Sequence, residues 1–263
     1  MQGGTDMSGT GWDPQQYLRF ADERLRPALD LLARVPLGEP ARVVDLGCGA
    51  GNVTAIVKRR FPSARVAGVD GSAAMLEKAR SAAPDCEFVQ ADVASWQPDT
   101  PPDLIYSNAA LHWVGGHHVL FPRLLSLLSP GGVLAVQMPA MHDAPMRRLQ
   151  LETAQSGPWA EALRGHVSAR DILPPADYWD LLKPRAATMD MWETIYLHPL
   201  SGDDAVVEWA AGSSLRPFLE PLSAELRAGF RRAYADALRP HYPRRPDGTT
   251  LLPFRRLFMV AQV

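Results

Sequence analysis

The sequence predicts an α/β fold built around a parallel sheet. In the first half of the 263-residue chain, short apolar runs rich in β-branched residues alternate with segments of helical spacing. A glycine-rich turn follows the first apolar run, where a strand would lead into a helix. Strands that alternate with helices form βαβ units, in which the strands lie parallel and the crossovers are right-handed.

Five strands are predicted in this first half, each from an apolar run that ends at turn residues: Ala41–Gly49, Arg65–Asp70, Glu87–Asp92, Asp103–Ser107 and Val133–Met138. The first of these runs is mostly apolar, contains the β-branched Val43 and Val44, and ends in glycines, as expected for a buried parallel strand. Helices are predicted between the strands over Asn52–Phe61, after the favourable N-cap residue Ser72, and over Val119–Leu128.

The regular alternation stops after Pro139. The segment Ala140–Pro199 mixes prolines, tryptophans and charged residues, and its one clear strand is Met189–His198. Two helices and a last strand are predicted after it: Asp203–Leu219, Ser223–Arg239 and Phe254–Val263. We interpret the middle segment as a helical cap that is inserted between late strands of one sheet and closes over a pocket at their carboxyl ends.

Composition excludes several classes of protein. Hydrophobic residues make up 46% of the chain and charged residues 21%, which is ordinary for a globular protein. The 27 Lys and Arg residues nearly balance 29 Asp and Glu residues, so no large basic footprint for nucleic acid is expected. No apolar run approaches the roughly 18 residues that cross a bilayer, and the amino terminus lacks the pattern of a secretory signal. Two cysteines, Cys48 and Cys86, are too few for a disulfide framework, so we expect a cytoplasmic protein.

The strongest local signal is the turn after the first predicted strand, Asp45-Leu46-Gly47-Cys48-Gly49-Ala50-Gly51. Its glycines allow a tight turn and the close approach of a ligand, and the following helix presents free N–H groups to an anion. The spacing is G-x-G-x-G, unlike the G-x-G-x-x-G of dinucleotide-binding proteins. Asp45 would repel a pyrophosphate and attract an ammonium group, so the turn favours a ligand that carries both an amine and a carboxylate.

Two further acids follow the next two strands. Asp70 ends the second predicted strand, where an acid accepts hydrogen bonds from the hydroxyls of a ribose. Asp92 ends the third, where it can accept from the exocyclic amine of an adenine. An amine, a ribose and an adenine contacted by three successive strand ends describe S-adenosylmethionine (SAM).

These residues lie in segments that resemble known motifs. VDLGCGAGNVT, GVDGS and QADVASW are similar to motifs of the class I SAM-dependent methyltransferases. Stretches across nearly the whole chain resemble the trans-aconitate 2-methyltransferase family: WDPQQYLRFADERLRPALDLLARVP, the glycine turn, DLIYSNAALHWVGGHHVLFPRLLSLLSPGGVLAVQMP, GSSLRPFLEPL and FRRLFMVA. The resemblance implies a Rossmann-like, seven-stranded, mostly parallel sheet with an antiparallel last strand. It also implies a single domain, 1–263, with a SAM-binding core (12–139), a cap (140–220) and a last helix and strand (221–263).

The resemblance further implies that the protein binds SAM and releases S-adenosylhomocysteine. The residues expected to contact the cofactor are Asp45, Gly47, Cys48, Gly49, Gly51, Asp70, Gly71, Met75, Asp92, Val93 and Asn108. The expected acceptor is one carboxylate of trans-aconitate, which becomes a monomethyl ester. No metal is expected, because displacement at a sulfonium does not require one.

A carboxylate acceptor is already ionised at neutral pH and needs no general base, but its other carboxylates need cations and hydrogen-bond donors. Arginine suits this role because its planar guanidinium donates two parallel N–H bonds. Arg216, in LRPFL, and Arg256, in FRRLF, match arginines of the family and are expected to bind substrate. His112 and Trp113 follow the fourth predicted strand, near the expected methyl position, and complete with Arg216 the expected catalytic set.

Two aromatic residues of the amino-terminal segment, Trp12 and Tyr17, are further candidates for substrate binding. In similar proteins this segment folds over the cofactor. The chain departs from the family at two positions near the expected substrate, because the family usually carries a glutamine in place of His112 and a proline in place of Arg255.

Other functions remain open on the sequence alone. One is O-, N- or C-methylation of a specialised small metabolite, with His112 as the base. Another is SAM binding without catalysis. A nucleic-acid N-methylase is disfavoured, because Ser107-Asn108-Ala109-Ala110 stands where such an enzyme would carry an N/D/S-P-P-Y/F loop. We expect a small carboxylic acid as partner, no nucleic acid, no membrane, and a monomer or weak homodimer.

Overall fold

A computed structural model describes residues 21–165 and 172–263. Within them a seven-stranded sheet has the order β3-β2-β1-β4-β5-β7-β6. The strands are β1 (Arg42–Leu46), β2 (Arg65–Asp70), β3 (Glu87–Gln90), β4 (Leu104–Asn108), β5 (Val133–Pro139), β6 (Thr188–Ser201) and β7 (Thr249–Gln262). Strands β1 to β5 pair in parallel, whereas β7 runs antiparallel to both β5 and β6. The predicted α/β class and the antiparallel last strand are confirmed.

The helices of the described residues occupy both faces of the sheet and the cap. They are α1 (Ala21–Ala33), α2 (Asn52–Arg60), α3 (Ala73–Ala82), α4 (His117–Ser126), α5 (Pro145–Gln155), α6 (Ala160–Leu163), α7 (Pro175–Leu182), α8 (Ala205–Ala211), α9 (Arg216–Leu219) and α10 (Ala224–Leu238). Single 3-10 turns follow β4, at Leu111–Trp113, and α7, at Lys183–Arg185. No helix in these two described ranges has the length and apolarity that crossing a membrane requires.

Apolar side chains pack on both faces of the sheet, and the alternation of each strand decides which face a residue joins. On one face, residues such as Tyr106 of β4 pack against α1 and α2. Because successive strand residues point to opposite faces, Asp45, Asn108 and Gln137 all belong to this α1–α2 face. Three polar side chains on neighbouring strands therefore lie on one face near the carboxyl edge of the sheet.

Strands β6 and β7 form a long ribbon that extends past the rest of the sheet. They pair from Thr188 and Gln262 to Ser201 and Thr249, whereas β5 reaches only as far as Arg256. A separate apolar core packs on this extension, and it includes residues of α5, α8, α9, α10 and β7. The cap is therefore built beyond the carboxyl ends of the parallel strands.

Two predicted elements differ clearly from the structure. The last strand begins at Thr249 instead of Phe254; Pro253 concealed its start, and this proline lies where β5 does not cover β7, as prolines do at sheet edges. The helix predicted over Asp203–Leu219 is two short helices, because the chain turns at Gly212 and the serines that follow it. The strand predicted at Met189–His198, within the segment 140–220, is confirmed as part of β6, so the cap helices come from both sides of a sheet strand.

Candidate active site at the carboxyl edge of the sheet

The glycine turn forms one wall of the candidate site, between β1 and α2. The N–H groups of Gly47 and Cys48 donate to the same β2 carbonyl, at 2.7 and 3.0 Å. Gly49 has φ 54°, and a Cβ built on it would meet no described atom within 4 Å, so its backbone is open to a ligand. Gly51 is packed instead, because a Cβ there would lie 2.8 Å from the Ala79 backbone of α3.

Asp45 lies beneath this turn and is only 2% exposed. Its carboxylate accepts a 2.6 Å hydrogen bond from the Thr54 hydroxyl in the first turn of α2. Burial raises the pKa of the Asp45 carboxyl to about 7, and nearby Asp70 adds to the rise while the Thr54 hydrogen bond opposes it. An adjacent cation would hold this carboxyl in its charged form.

Asp70 joins the turn to the next helix. One of its carboxylate oxygens accepts from the Gly49 N–H and the other from the Ser72 N–H, both at 2.9 Å. An ionised carboxylate has about four lone-pair positions, so each oxygen can still accept from a hydroxyl. Gly71 is the next residue. Met75 lies in the first turn of α3, where its N–H donates to the Ser72 hydroxyl at 3.4 Å. Asp70, the predicted ribose acceptor, therefore also holds the glycine turn against the start of α3.

The third acid, Asp92, is exposed in the loop after β3, where it accepts from the Ala94 N–H at 2.9 Å. Arg123 of α4 holds this loop by donating to the carbonyl oxygens of Val93, Ala94 and Trp96, at 2.6 to 3.3 Å. One guanidinium therefore fixes the backbone that carries Asp92 and Val93.

Strand β4 ends beside the glycine turn. Ala109 has φ 52°, a conformation that residues other than glycine rarely adopt, and its N–H donates to the Gln137 carbonyl at 2.9 Å. A Cβ on Gly47 would overlap the Ala110 side chain at 2.2 Å, so only glycine permits this approach. The Oδ1 of Asn108 is buried with no hydrogen-bond partner in the described part of the chain. A buried acceptor in that state is suited to a ligand that donates.

A buried cation lies against Gln137, the residue of β5 that pairs with Asn108. Arg256, at the position of β7 opposite the end of β5, is 5% exposed. Its Nη1 lies 3.5 Å from the Oε1 of Gln137, and its guanidinium carbon is 4.5 Å from the centroid of the Phe254 ring. A guanidinium buried this deeply favours the approach of an anion.

His112, in the 3-10 turn after β4, lies near the same cation. Burial is the main cause that lowers the pKa of the His112 imidazole to about 3, and the positive charge of nearby Arg256 adds to this effect. The ring is therefore neutral at pH 7, and its Nδ1 is buried without a hydrogen-bond partner among the residues described. Trp113 is tilted against this ring, with centroids 4.6 Å apart, and is 44% exposed. A neutral imidazole offers one donor but is a weak base.

The structure does not bring every predicted substrate residue to this cluster. Arg216 begins α9 in the cap, where its guanidinium donates to Glu220 at 2.7 Å. Its contact with substrate stays a prediction. Trp12 and Tyr17 lie outside the described residues.

Three residues of the site were missed by sequence reasoning. Thr54 and Arg123 carry no signal of their own in the sequence, because their partners are set by packing. Gln137 does carry one, since it is the only polar residue in the run VLAVQM, and a polar residue within a buried strand indicates a bonded or functional group.

Comparison with known proteins places this site in a family. Residues 43–132 match a family model described as a methyltransferase domain. The trans-aconitate 2-methyltransferase of Paracidovorax citrulli is 52% identical to this chain over 254 residues, which cover 95% of this chain and 98% of that one. The chain belongs to the trans-aconitate 2-methyltransferase family. The family member from Methylobacterium radiotolerans is also 52% identical, with the same coverage.

Solved structures bear out the fold of this trans-aconitate 2-methyltransferase family member. The YcgJ protein from Bacillus subtilis matches with a TM-score of 0.57 at 15% identity, over 90% of this chain and 97% of that chain. A SAM-dependent methyltransferase from Thiobacillus denitrificans, solved with S-adenosylhomocysteine, matches with a TM-score of 0.52 at 17% identity, over 95% and 99% of the two chains. At such identities the likeness establishes the fold alone.

Proposed function

We propose that the protein transfers the methyl group of SAM to one carboxylate of trans-aconitate, giving the monomethyl ester and S-adenosylhomocysteine. The observation that carries this proposal is the 52% identity, over nearly the whole chain, with proteins named for this reaction. The site supports it, because a wall of acceptors and a buried guanidinium lie side by side at the carboxyl edge of the sheet.

The hydrogen-bond acceptors in and around the glycine turn match the groups of SAM that donate hydrogen bonds. The open backbone at Gly49 leaves room for the amino-acid part of SAM. Asp45 matches its ammonium group, as does the Oδ1 of Asn108, which has no hydrogen-bond partner among the residues that the structure describes. Asp70 accepts from the ribose hydroxyls, and Asp92 accepts from the adenine amine. When bound, SAM supplies an electrophilic methyl group on a sulfonium.

The other side of the site suits an anionic acceptor. Arg256 attracts a carboxylate, and the neutral His112 donates one hydrogen bond to it. Because the pKa of His112 is about 3, its imidazole is a poor proton acceptor near pH 7. A buried cation beside a weak base therefore favours an acceptor that is already ionised over a hydroxyl or amine that needs a base. Arg216, whose guanidinium pairs with Glu220 in the cap, stays a further candidate for binding the acceptor.

We infer a monomer or weak homodimer that acts on a small molecule. The cysteines Cys48 and Cys86 are both unpaired, which favours a reducing, cytoplasmic setting.

The raised pKa of Asp45 predicts that SAM affinity depends on pH. In the free protein the carboxyl is mostly protonated below pH 7, so it must lose its proton before it can pair with the ammonium group. We expect the Kd for SAM to rise by up to about tenfold for each pH unit below about 7 and to level off above it. Asp45→Asn should bind SAM weakly and without this dependence. Calorimetry across this pH range is the measurement, and a constant wild-type Kd would refute the role of Asp45.

A panel of methyl acceptors tests the proposed function. The purified protein is incubated with SAM and with tricarboxylic, dicarboxylic and monocarboxylic acids, and also with hydroxyl and amine compounds. We expect methyl esters from trans-aconitate first and from related polycarboxylates more slowly. Methylation of a hydroxyl or amine with no ester from any acid would favour the alternative in which His112 is a base.

A further inference from the structure

Gln137 is a polar residue with no exposed surface inside the apolar strand β5. It stands beside Asn108 on β4 and opposite Phe258 on β7, two residues along the strand from Arg256. Residues two apart on a strand share a face, so the side chains of Gln137 and Arg256 lie on the same side of the sheet. The 3.5 Å approach of Arg256 Nη1 to Gln137 Oε1 is the direct result.

The hydrogen-bonding chemistry of Arg256 determines which atom of the Gln137 amide faces it and which does not. A guanidinium has only donors, so the amide oxygen must face Arg256 and the amide nitrogen must point elsewhere. That nitrogen, Nε2, is buried and has no hydrogen-bond partner within residues 21–165 and 172–263. Buried donors are nearly always paired, so this one indicates an acceptor that arrives with a ligand.

We propose that Gln137 determines specificity for a carboxylate acceptor: Oε1 holds the guanidinium of Arg256 in place, and Nε2 donates to the same substrate carboxylate. This inference rests on the proposed function. A neutral amide is suited to the task, because it accepts from Arg256 without neutralising its charge. Together the two residues offer a cation and an additional donor, which recognise an anion and not an amine.

Gln137→Glu separates substrate contact from structural support. The glutamate keeps an acceptor facing Arg256 and nearly the same volume, so a purely structural role would survive. It removes the Nε2 donor, neutralises Arg256 and repels a substrate carboxylate. We expect the KM for trans-aconitate to rise about a hundredfold or more, with the Kd for S-adenosylhomocysteine within about twofold of wild type and an unchanged Tm.

Gln150→Glu is the matched control. Gln150 is also fully buried and also accepts from an arginine, with Arg147 Nη1 at 3.3 Å from its Oε1. Its Nε2, however, already donates to the Ser214 hydroxyl at 2.8 Å. A change here should alter Tm while leaving the KM for trans-aconitate within about threefold of wild type.

The readouts are the KM from ester formation and the Kd of trans-aconitate in the S-adenosylhomocysteine complex, by calorimetry. If Gln137→Glu keeps both values, the inference is overturned while the proposed function stands. If wild type neither binds nor esterifies trans-aconitate, the proposed function fails and takes the inference with it. Should Gln137→Glu not fold, Gln137→Met replaces it, for which a KM raised about tenfold at intact Tm supports the inference and an unchanged KM overturns it.

Discussion

Arg256→Met is expected to lower kcat/KM for trans-aconitate by about a hundredfold or more, with the Kd for SAM changed by less than about threefold. The guanidinium is buried, lies against Gln137, and its charge contributes to the lowered pKa of His112. Methionine fills much of the same volume without the charge, so the loss reports anion binding and not a cavity. Initial rates of ester formation give kcat/KM for trans-aconitate, and calorimetry gives the Kd for SAM.

Arg255→Met is the matched control for this experiment. Arg255 is the neighbouring residue on the opposite face of β7, one third exposed, and it donates to the Ala140 carbonyl at 3.1 Å and pairs with Asp143 at 3.6 Å. Its removal should cost less than about fivefold in kcat/KM, since an ion pair with a largely exposed partner such as Asp143 contributes little. Equal losses in both variants would contradict the assignment of Arg256 to the acceptor.

Asp70→Ala is expected to raise the Kd for SAM by about a hundredfold. The carboxylate positions the Gly49 N–H at 2.9 Å and, in the proposed complex, accepts from the ribose hydroxyls. Its loss therefore removes bonds to the cofactor and loosens the turn that faces it. Calorimetry with SAM is the measurement, and an unchanged Kd would refute the ribose role.

Asp103→Ala controls for the structural part of this effect. Asp103 precedes β4 at the opposite edge of the sheet, where it accepts from the N–H groups of Ala41 and Arg42 at 2.8 and 2.9 Å and from the Ser129 hydroxyl at 2.7 Å. Its removal also breaks backbone hydrogen bonds and should lower Tm. Because the site lies at the other end of the strands, the Kd for SAM should stay near the wild-type value.

Much of the part of the site that is proposed to bind SAM was predictable from sequence, because its residues are close together in the chain. Asp45, Gly47, Gly49 and Gly51 fall within one turn, and a strand that leads through such glycines into a helix constrains the backbone strongly. The same holds for Asp70, which ends a short strand that is easily identified. Register then brings these strand ends to a common edge, as parallel pairing requires.

The part of the site that is proposed to bind the carboxylate substrate was harder to predict, because it depends on long-range strand pairing. Gln137 and Arg256 are 119 positions apart and meet only because β7 runs antiparallel beside β5. The start of β7 was concealed by Pro253, so the ribbon that carries the cap was predicted too short. Arg123 reaches three carbonyl groups about 30 residues earlier in the chain, and no local pattern encodes such contacts.

The structure also narrows the role of His112. The sequence left two roles open, a hydrogen-bond donor or a general base. Burial beside the charge of Arg256 lowers the pKa of the imidazole to about 3, which suits a donor to an anionic acceptor. The lowered pKa of His112 depends in part on Arg256, which lies 144 positions later in the chain.

The most direct test of methyl transfer to a carboxylate is the mass of the product. Wild-type protein is incubated near neutral pH with trans-aconitate and SAM that carries a deuterated methyl group. The account predicts a labelled monomethyl ester formed in equal amount with S-adenosylhomocysteine. Turnover of SAM that leaves trans-aconitate unlabelled, or no turnover with this acid, would contradict it.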